Sequence, residues 1–256
     1  MVSGPELIAR PDGSTLAYDR LAATRADTPG VVFLHGLMSD RTGTKAEVLL
    51  AHCRANGLGF VRFDMSGHGA SSGRFEDGSV SRWTEDALAV LDAVTSGPLI
   101  LVGSSMGAWV MIKTALARAP RIAGLIGVAP APDFTEDLMW AGFSAAERAT
   151  LEQQGMLNLP STYDTLPYVI SRGLIEDGRN NLVLRGPIPL GCPVRLVHGQ
   201  RDDSVPWQTS LRLAENLSSD DVDVILIKDG DHRLSRPQDL QRLCRMLDEL
   251  VAKVSA

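Results

Sequence analysis

Pro98-Leu99-Ile100-Leu101-Val102-Gly103-Ser104-Ser105-Met106-Gly107-Ala108-Trp109-Val110-Met111-Ile112 is the stretch that decides how this chain is read. A short apolar run suited to a buried strand meets a serine with glycine two positions to either side, and a helix-permissive run follows. Strand, glycine-flanked serine, helix is the order a nucleophile elbow requires. Such a turn holds its serine in a strained backbone conformation with the hydroxyl exposed. The flanking glycines leave room for strand and helix to approach closely. Of the two adjacent serines, Ser105 holds the central position and Ser104 belongs to the turn. The pentapeptide alone is a loose pattern, so the reading depends on whether a base, an acid and two oxyanion donors fall where this architecture places them.

The rest of the chain alternates strand with helix, which predicts a mostly parallel sheet covered on both faces in one α/β domain spanning 1–256. Thr15–Arg20 reads as an early edge strand after the Pro11-Asp12-Gly13 turn. Val31–Leu34, Phe60–Phe63, Ile122–Val128, Val194–Val197 and Val222–Ile227 read as further strands. Lys45–Ala55, Val80–Val94 and Leu240–Val254 carry helical periodicity. Between Pro130 and Pro193 the rhythm breaks. This stretch holds Phe134, Met139, Trp140, Phe143, Met156, Tyr163 and Tyr168, punctuated by Pro160, Pro167, Pro187 and Pro189. An insertion over about 131–190 is expected to form a helical lid. Its apolar residues either seat it on the body or meet substrate.

Composition narrows the class. The 256 residues are 44% hydrophobic and 22% charged, with a net charge of −6, which argues against a nucleic-acid footprint. No apolar run is long enough to span a bilayer, so no stable membrane insertion is expected. Neither a signal peptide nor a transit peptide is visible from Met1 onward. Three scattered cysteines, Cys53, Cys192 and Cys244, lack metal-ligand spacing and read as reduced thiols, so neither disulfides nor a metal is expected, and the expected compartment is the cytoplasm.

An alcohol needs a base within hydrogen-bond reach. His52 lies within a helical pattern, whereas His35, His68, His198 and His232 all fall at strand ends or turns. In the chain order nucleophile, acid, base, His232 alone follows the acidic candidates. The acid is expected after the preceding strand, where Gly199-Gln200-Arg201-Asp202-Asp203-Ser204-Val205-Pro206 offers two neighbours. Asp202 is preferred, because the turn after Gly199 aims it across the sheet, and Asp203 is read as a turn cap. Met106 N–H opens a helix and supplies one oxyanion donor. Leu37 N–H, after Gly36, is expected to be the other, with Met38 the alternative by one position. His35 reads as a structural hydrogen-bonder. Asp64-Met65-Ser66-Gly67-His68-Gly69-Ala70-Ser71 reads as a tight turn buttressing that loop, since it lacks the third glycine or Lys-Ser/Thr of a phosphate loop.

His35-Gly36, Asp64-x-x-Gly67-x-Gly69-x-Ser71, the Ser105 elbow, Asp202 and Gly230-Asp231-His232 together resemble the α/β-hydrolase superfamily over essentially the whole chain. Gly43-Thr44-Lys45-Ala46, Arg62-Phe63-Asp64, Leu125–Ala129, Asp202–Trp207, Asp221–Leu226 and Asp231-His232-Arg233 resemble the branch that holds mitochondrial palmitoyl-protein thioesterase and acyl-glucuronide esterase activity, here as a bacterial-type relative. The resemblance implies Ser105, Asp202 and His232 as the catalytic triad, no cofactor, and a small-molecule ester or thioester, an S-acylated protein or an acyl glucuronide as substrate. Met38, Trp140 and Phe143 are candidates to contact the acyl group, and Arg41, Arg172 or Arg185 an anionic leaving group. Carbon–carbon cleavage of ring-fission products uses the same triad and stands as the alternative, with a non-catalytic binding module as a third reading.

Overall fold

The computed structural model describes residues 4–159 and 168–255, so the expectations for Pro160, Tyr163 and Pro167 lie outside the described residues. One eight-stranded sheet carries the molecule. Its strands are β1 (Glu6–Ala9), β2 (Thr15–Leu21), β3 (Gly30–Leu34), β4 (Phe60–Phe63), β5 (Leu99–Ser104), β6 (Ile122–Val128), β9 (Val194–Gly199) and β10 (Val222–Ile227), ordered β1-β2-β4-β3-β5-β6-β9-β10. β2 runs antiparallel to both its neighbours, and β4, β3, β5, β6, β9 and β10 are parallel to one another. The expected edge strand at Thr15–Arg20 is therefore one place in from the edge. Four mostly exposed residues, Glu6–Ala9, cover it, too short and polar a segment to show a pattern.

The helices α1 (Thr44–Asn56), α2 (Val80–Val94), α3 (Met106–Ala117), α6 (Gln208–Asn216) and α7 (Pro237–Val254) connect and cover the strands. α7 starts three residues before the expected Leu240, since proline at the first helical position costs no hydrogen bond. Two apolar layers result. One holds Trp83, Val90, Leu101, Trp109 and Ile112, and the other Leu49, Phe60, Ile100, Ile126 and Leu247. β5 is buried along its whole length, which places its C-terminal end at the middle of the sheet.

The 131–190 segment consists of a π-helical stretch (Thr135–Trp140), α4 (Ala145–Gln154), an antiparallel hairpin of β7 (Met156–Leu159) and β8 (Tyr168–Ser171), and α5 (Arg172–Arg179). Its apolar residues Phe134, Phe143, Leu151, Ile170, Leu174 and Leu184 join the core layer of Trp109. Trp109 Nε1–H donates to Asn181 O at 3.0 Å, and its ring meets Phe134 edge-on at 5.7 Å. The buried Asp133 accepts from Val183 and Leu184 N–H at 2.8 and 2.9 Å, tying one end of the segment to the other.

The Asp64–Ser71 turn packs beneath the loop after β3. Asp64, fully buried, accepts from Arg41 N–H at 2.6 Å, Ala70 N–H at 2.8 Å and the Arg41 guanidinium at 2.7 Å. His35 donates from Nδ1 to Gly36 O and accepts Met65 N–H at Nε2, which pins the two loops together. His68 lies between His35, Phe75 and Trp83, with ring centroids 4.8, 5.3 and 5.6 Å away. Burial, together with the neighbouring His35, pushes its pKa from 6.5 down to about 3.

A histidine whose folded pKa lies below its unfolded value takes its proton only on unfolding. Its stabilising effect is thus complete above about pH 6.5 and drains away as pH falls toward 3. Urea unfolding of the wild type at pH 7 and pH 5, beside His68→Gln, is expected to show a loss at pH 5 about 2 kcal/mol smaller in the variant. Equal pH dependence in the two proteins would show that folded His68 titrates normally. Gly107 provides a second check, since a Cβ there would strike the backbone carbonyl oxygens of Leu34 and His35. Gly107→Ala is expected to lower the unfolding free energy by about 2 kcal/mol or more, because neither backbone can retreat without disturbing the sheet.

Candidate active site

Ser105 sits between the last residue of β5 and the first of α3 with φ 53° and ψ −121°, a region that costs about 1–3 kcal/mol for a residue bearing a side chain. Its neighbours impose the conformation. Ser105 N–H donates to Val128 O at 2.9 Å, while its own carbonyl accepts from Ala108 and Ala131 at 2.9 and 3.2 Å. A Cβ on Gly103 would come within 2.6 Å of Ala108 Cα, and one on Gly107 would strike the carbonyls of Leu34 and His35, so glycine is required where α3 meets the ends of β5 and β3. The side chain is thereby turned out of the sheet, and Oγ lies 3.1 Å from His232 Nε2.

His232 occupies the loop between β10 and α7, with its side chain 16% exposed. Its Nδ1–H donates to Asp202 Oδ2 at 2.7 Å, which leaves Nε2 as the acceptor facing Ser105. Asp202 follows β9, and its side chain is wholly shielded from solvent. Oδ1 accepts Ser204 and Val205 N–H at 2.9 and 2.8 Å, and Oδ2 also accepts His198 Nε2–H at 2.9 Å. Burial alone would raise this carboxyl's pKa. The hydrogen bonds from His198 and His232, the charge of His232 and the Val205 amide outweigh it and hold the group well below the ordinary carboxylate range. Asp203 is exposed and takes the Ser204 hydroxyl at 3.1 Å. Ser105, His232 and Asp202 thus form one hydrogen-bonded chain, and Asp203 stands outside it.

Met106 begins α3, and the first amides of a helix have no partner within it, so its N–H is available beside Ser105. The loop carrying Leu37 approaches from β3, and a Cβ on Gly36 would stand 3.4 Å from Ser105 Cβ. Leu37 packs against the core, whereas Met38, at φ 55°, is 41% exposed.

A cavity of about 660 Å³ opens between the 131–190 segment and α6, walled by Pro132, Leu138, Trp140, Leu184, Pro206 and Arg212. Neither Ser105 nor His232 lines it. Two of its wall residues follow residues bonded to the site in sequence: Pro132 follows Ala131, which bonds Ser105 O, and Pro206 follows Val205, which bonds Asp202. Three expected substrate contacts need correction. Arg41 is committed to Asp64 at 2.7 Å and Asp19 at 3.3 Å, so an anionic substrate would have to displace two carboxylates. Phe143 is buried against the body and does not line the cavity. Arg172 pairs with Glu176 on its own helix. Trp140 does reach the cavity, with the guanidinium carbons of Arg148 and Arg179 5.1 and 4.4 Å from its ring centroid. Arg185 lines it too, paired with Asp137, which Arg212 also holds.

The role of His198 was not legible from its position alone. The signal was the four-residue spacing His198–Asp202 at a strand end, which brings a second imidazole onto the same carboxylate.

Comparison with known proteins places these features in a family. The family model described as serine aminopeptidase, S33, matches residues 27–163, just over half of the chain. The mitochondrial palmitoyl-protein thioesterase ABHD10 of Bos taurus is 39% identical over 249 residues, covering 97% of this chain and 80% of its own. The structure of mouse alpha/beta hydrolase domain-containing protein 10 superposes with a TM-score of 0.90 at 38% identity, covering 98% of this chain and all of that one. A solved structure from Agrobacterium vitis S4 superposes with a TM-score of 0.93 at 41% identity, covering 96% and 98% of the two chains. The expected cytoplasmic placement is overturned, since the curated relatives at 39–41% identity are mitochondrial by name. Sparse unpaired cysteines report a reducing environment and do not distinguish one reducing compartment from another. By sequence over nearly its whole length and by fold, the chain is a hydrolase of the α/β-hydrolase family, in the branch that contains the ABHD10 thioesterases.

Proposed function

We propose that this enzyme cleaves carboxylic thioesters and esters through an acyl-enzyme on Ser105, with His232 as general base and acid and Asp202 as its orienting carboxylate. The observation that carries the reading is the unbroken hydrogen-bond chain from Ser105 Oγ through His232 to Asp202 Oδ2, mounted on a serine with strained backbone. Ser105 Oγ attacks the acyl carbon as its proton passes to His232 Nε2. The amides of Met106 and Leu37 receive the oxyanion. Collapse expels the thiolate or alkoxide, which takes the proton from Nε2. A water, deprotonated by the same nitrogen, then attacks the acyl-serine, and the proton returns to Oγ as the acid leaves.

The substrate class follows from the relatives and from the cavity. Several relatives are named palmitoyl-protein thioesterases, and the cavity between the 131–190 segment and α6 has Pro132, Leu138, Trp140 and Leu184 on its wall, surfaces suited to an acyl chain. A long-chain S-acyl group, on a protein cysteine or a small thiol, is the substrate this supports best. Acyl glucuronides form the second ester class, because Arg185 and Arg212 border the same cavity, where an anionic leaving group would compete with Asp137 for both. Carbon–carbon cleavage finds no support among the relatives, and an intact chain of three polar groups does not suit a non-catalytic module.

Ser105→Ala is expected to fold normally and to lose about four to six orders of magnitude in kcat on a p-nitrophenyl ester, with no fluorophosphonate adduct, because triad members act as a unit. A variant that keeps near-wild-type turnover would assign the chemistry to another residue. Asp202→Asn is expected to lose about 10⁴-fold in kcat through the wrong His232 tautomer, and Asp203→Asn to stay within about threefold of wild type. The reverse ranking would make Asp203 the acid. Hydrolysis rates across S-acyl peptides, acyl-CoAs and acyl glucuronides rank the substrates, and S-acyl peptides are expected to lead.

A further inference from the structure

Asp202 is shared by two imidazoles. Beyond His232, the fully buried His198 at the end of β9 places Nε2 2.9 Å from Asp202 Oδ2 and 3.1 Å from Val205 O, with Nδ1 2.7 Å from the hydroxyl of Ser210 on α6. Both atoms facing Nε2 are acceptors, so that nitrogen carries the proton. In the neutral ring Nδ1 then accepts from the Ser210 hydroxyl, which is itself fully buried.

We infer that His198, braced by Ser210, is a positioning residue that holds Asp202 Oδ2 against His232 throughout the catalytic cycle, an inference that rests on the triad reading above. The two oxygens of Asp202 are held in different ways. Oδ1 is fixed by the Ser204 and Val205 amides of its own loop, whereas no backbone amide holds Oδ2, so its position depends on the side chains that donate to it. Oδ2 accepts from His232 and from His198. His232 cannot be its own anchor, because its ring must stay aligned while a proton moves to and from Nε2. His198 supplies a second, static donor on a strand, with its far side tied to a helix. The chain Ser210–His198–Asp202–His232–Ser105 thus runs from buried scaffold to reacting atom through hydrogen bonds of 2.7–3.1 Å. A purely architectural tie between β9 and α6 would use the same Ser210 contact but would not direct its other nitrogen at the oxygen that His232 uses.

The test compares His198→Leu, which removes the donor, His198→Gln, whose amide can donate to Asp202 and accept from Ser210, and Ser210→Ala, all in the full chain. Readouts are kcat and KM on a p-nitrophenyl ester, thermal unfolding, and the low-field proton NMR resonance of His232 Nδ1–H. Folded His198→Leu is expected to lose about 10- to 100-fold in kcat, as for other residues that orient a catalytic ligand from behind, with KM little changed and the resonance shifted or lost. His198→Gln is expected to recover most of that kcat and the resonance, and Ser210→Ala to lower kcat by about three- to tenfold. A folded His198→Leu with unaltered kcat and resonance would overturn the proposal. If that variant does not fold, the other two decide. Wild-type-like His198→Gln with a slowed Ser210→Ala whose resonance moves upholds the assignment, and two unaffected variants reject it. Ser105→Ala, measured alongside, separates this from failure of the triad reading, which would appear as residual turnover there.

Discussion

The close contact of α3 with the end of β5 is the constraint on which the rest of the site depends. Gly103 and Gly107 let backbone meet backbone without an intervening side chain, and Ser105 between them is forced to φ 53°. That strain is local, whereas its support is distributed. Val128 of β6 accepts Ser105 N–H, Ala131 donates to its carbonyl, and the carbonyls of Leu34 and His35 from β3 close over Gly107. Three parallel strands at the middle of the sheet therefore over-determine one unfavourable backbone conformation. Oγ comes to lie where the loops following the strands converge.

Those loops are held by buried aspartates. Asp64 accepts the Arg41 and Ala70 amides, Asp86 the Ser66 amide, Asp133 the Val183 and Leu184 amides, and Asp202 the Ser204 and Val205 amides. A loop at a sheet edge exposes amides that no strand will pair, and a buried carboxylate satisfies two at once. Each loses its desolvation cost only if every donor stays in place, so each loop has one geometry. Three of the four also pair with an arginine, Asp64 with Arg41, Asp86 with Arg10 and Asp133 with Arg185. Asp202 holds its loop with Oδ1 and presents Oδ2 to two histidines, one catalytic in our reading and one fixed.

The 131–190 segment shows how the same residues serve packing and recognition from different sides. Phe134, Phe143 and Leu174 bury against Trp109 and its surroundings, so most of the segment's apolar content seats it on the body. Trp140, from the π-helical stretch, and Leu138 face the cavity instead. A π-turn widens the helical spacing, and this separates neighbouring side chains between wall and core. Periodicity of 3.6 cannot show that division, which is why Phe143 and Trp140 read alike in sequence.

Local pattern was sufficient for the central strands, α1 to α3 and α7, because a buried strand or an amphipathic helix writes its burial into consecutive residues. The elbow was legible for the same reason, since its glycine requirement lies within five positions. Chain order then singled out His232, and the strand-end turn singled out Asp202. Short or exposed elements, such as β1 and the β7–β8 hairpin, left no periodic trace, each strand being only four residues long. Partnerships across the chain were invisible too. Arg41 read as a free cation until Asp64, 23 residues away, and Asp19 were brought beside it. His198 was one of several strand-end histidines until the fold set it behind Asp202. Sequence by itself determined which residue types recur at which spacing, and so the α/β class and the residues able to do this chemistry. Only the tertiary structure decided which of them touch, because a hydrogen bond such as that between Ser105 and His232, 127 residues apart, exists only once the sheet has brought their loops together.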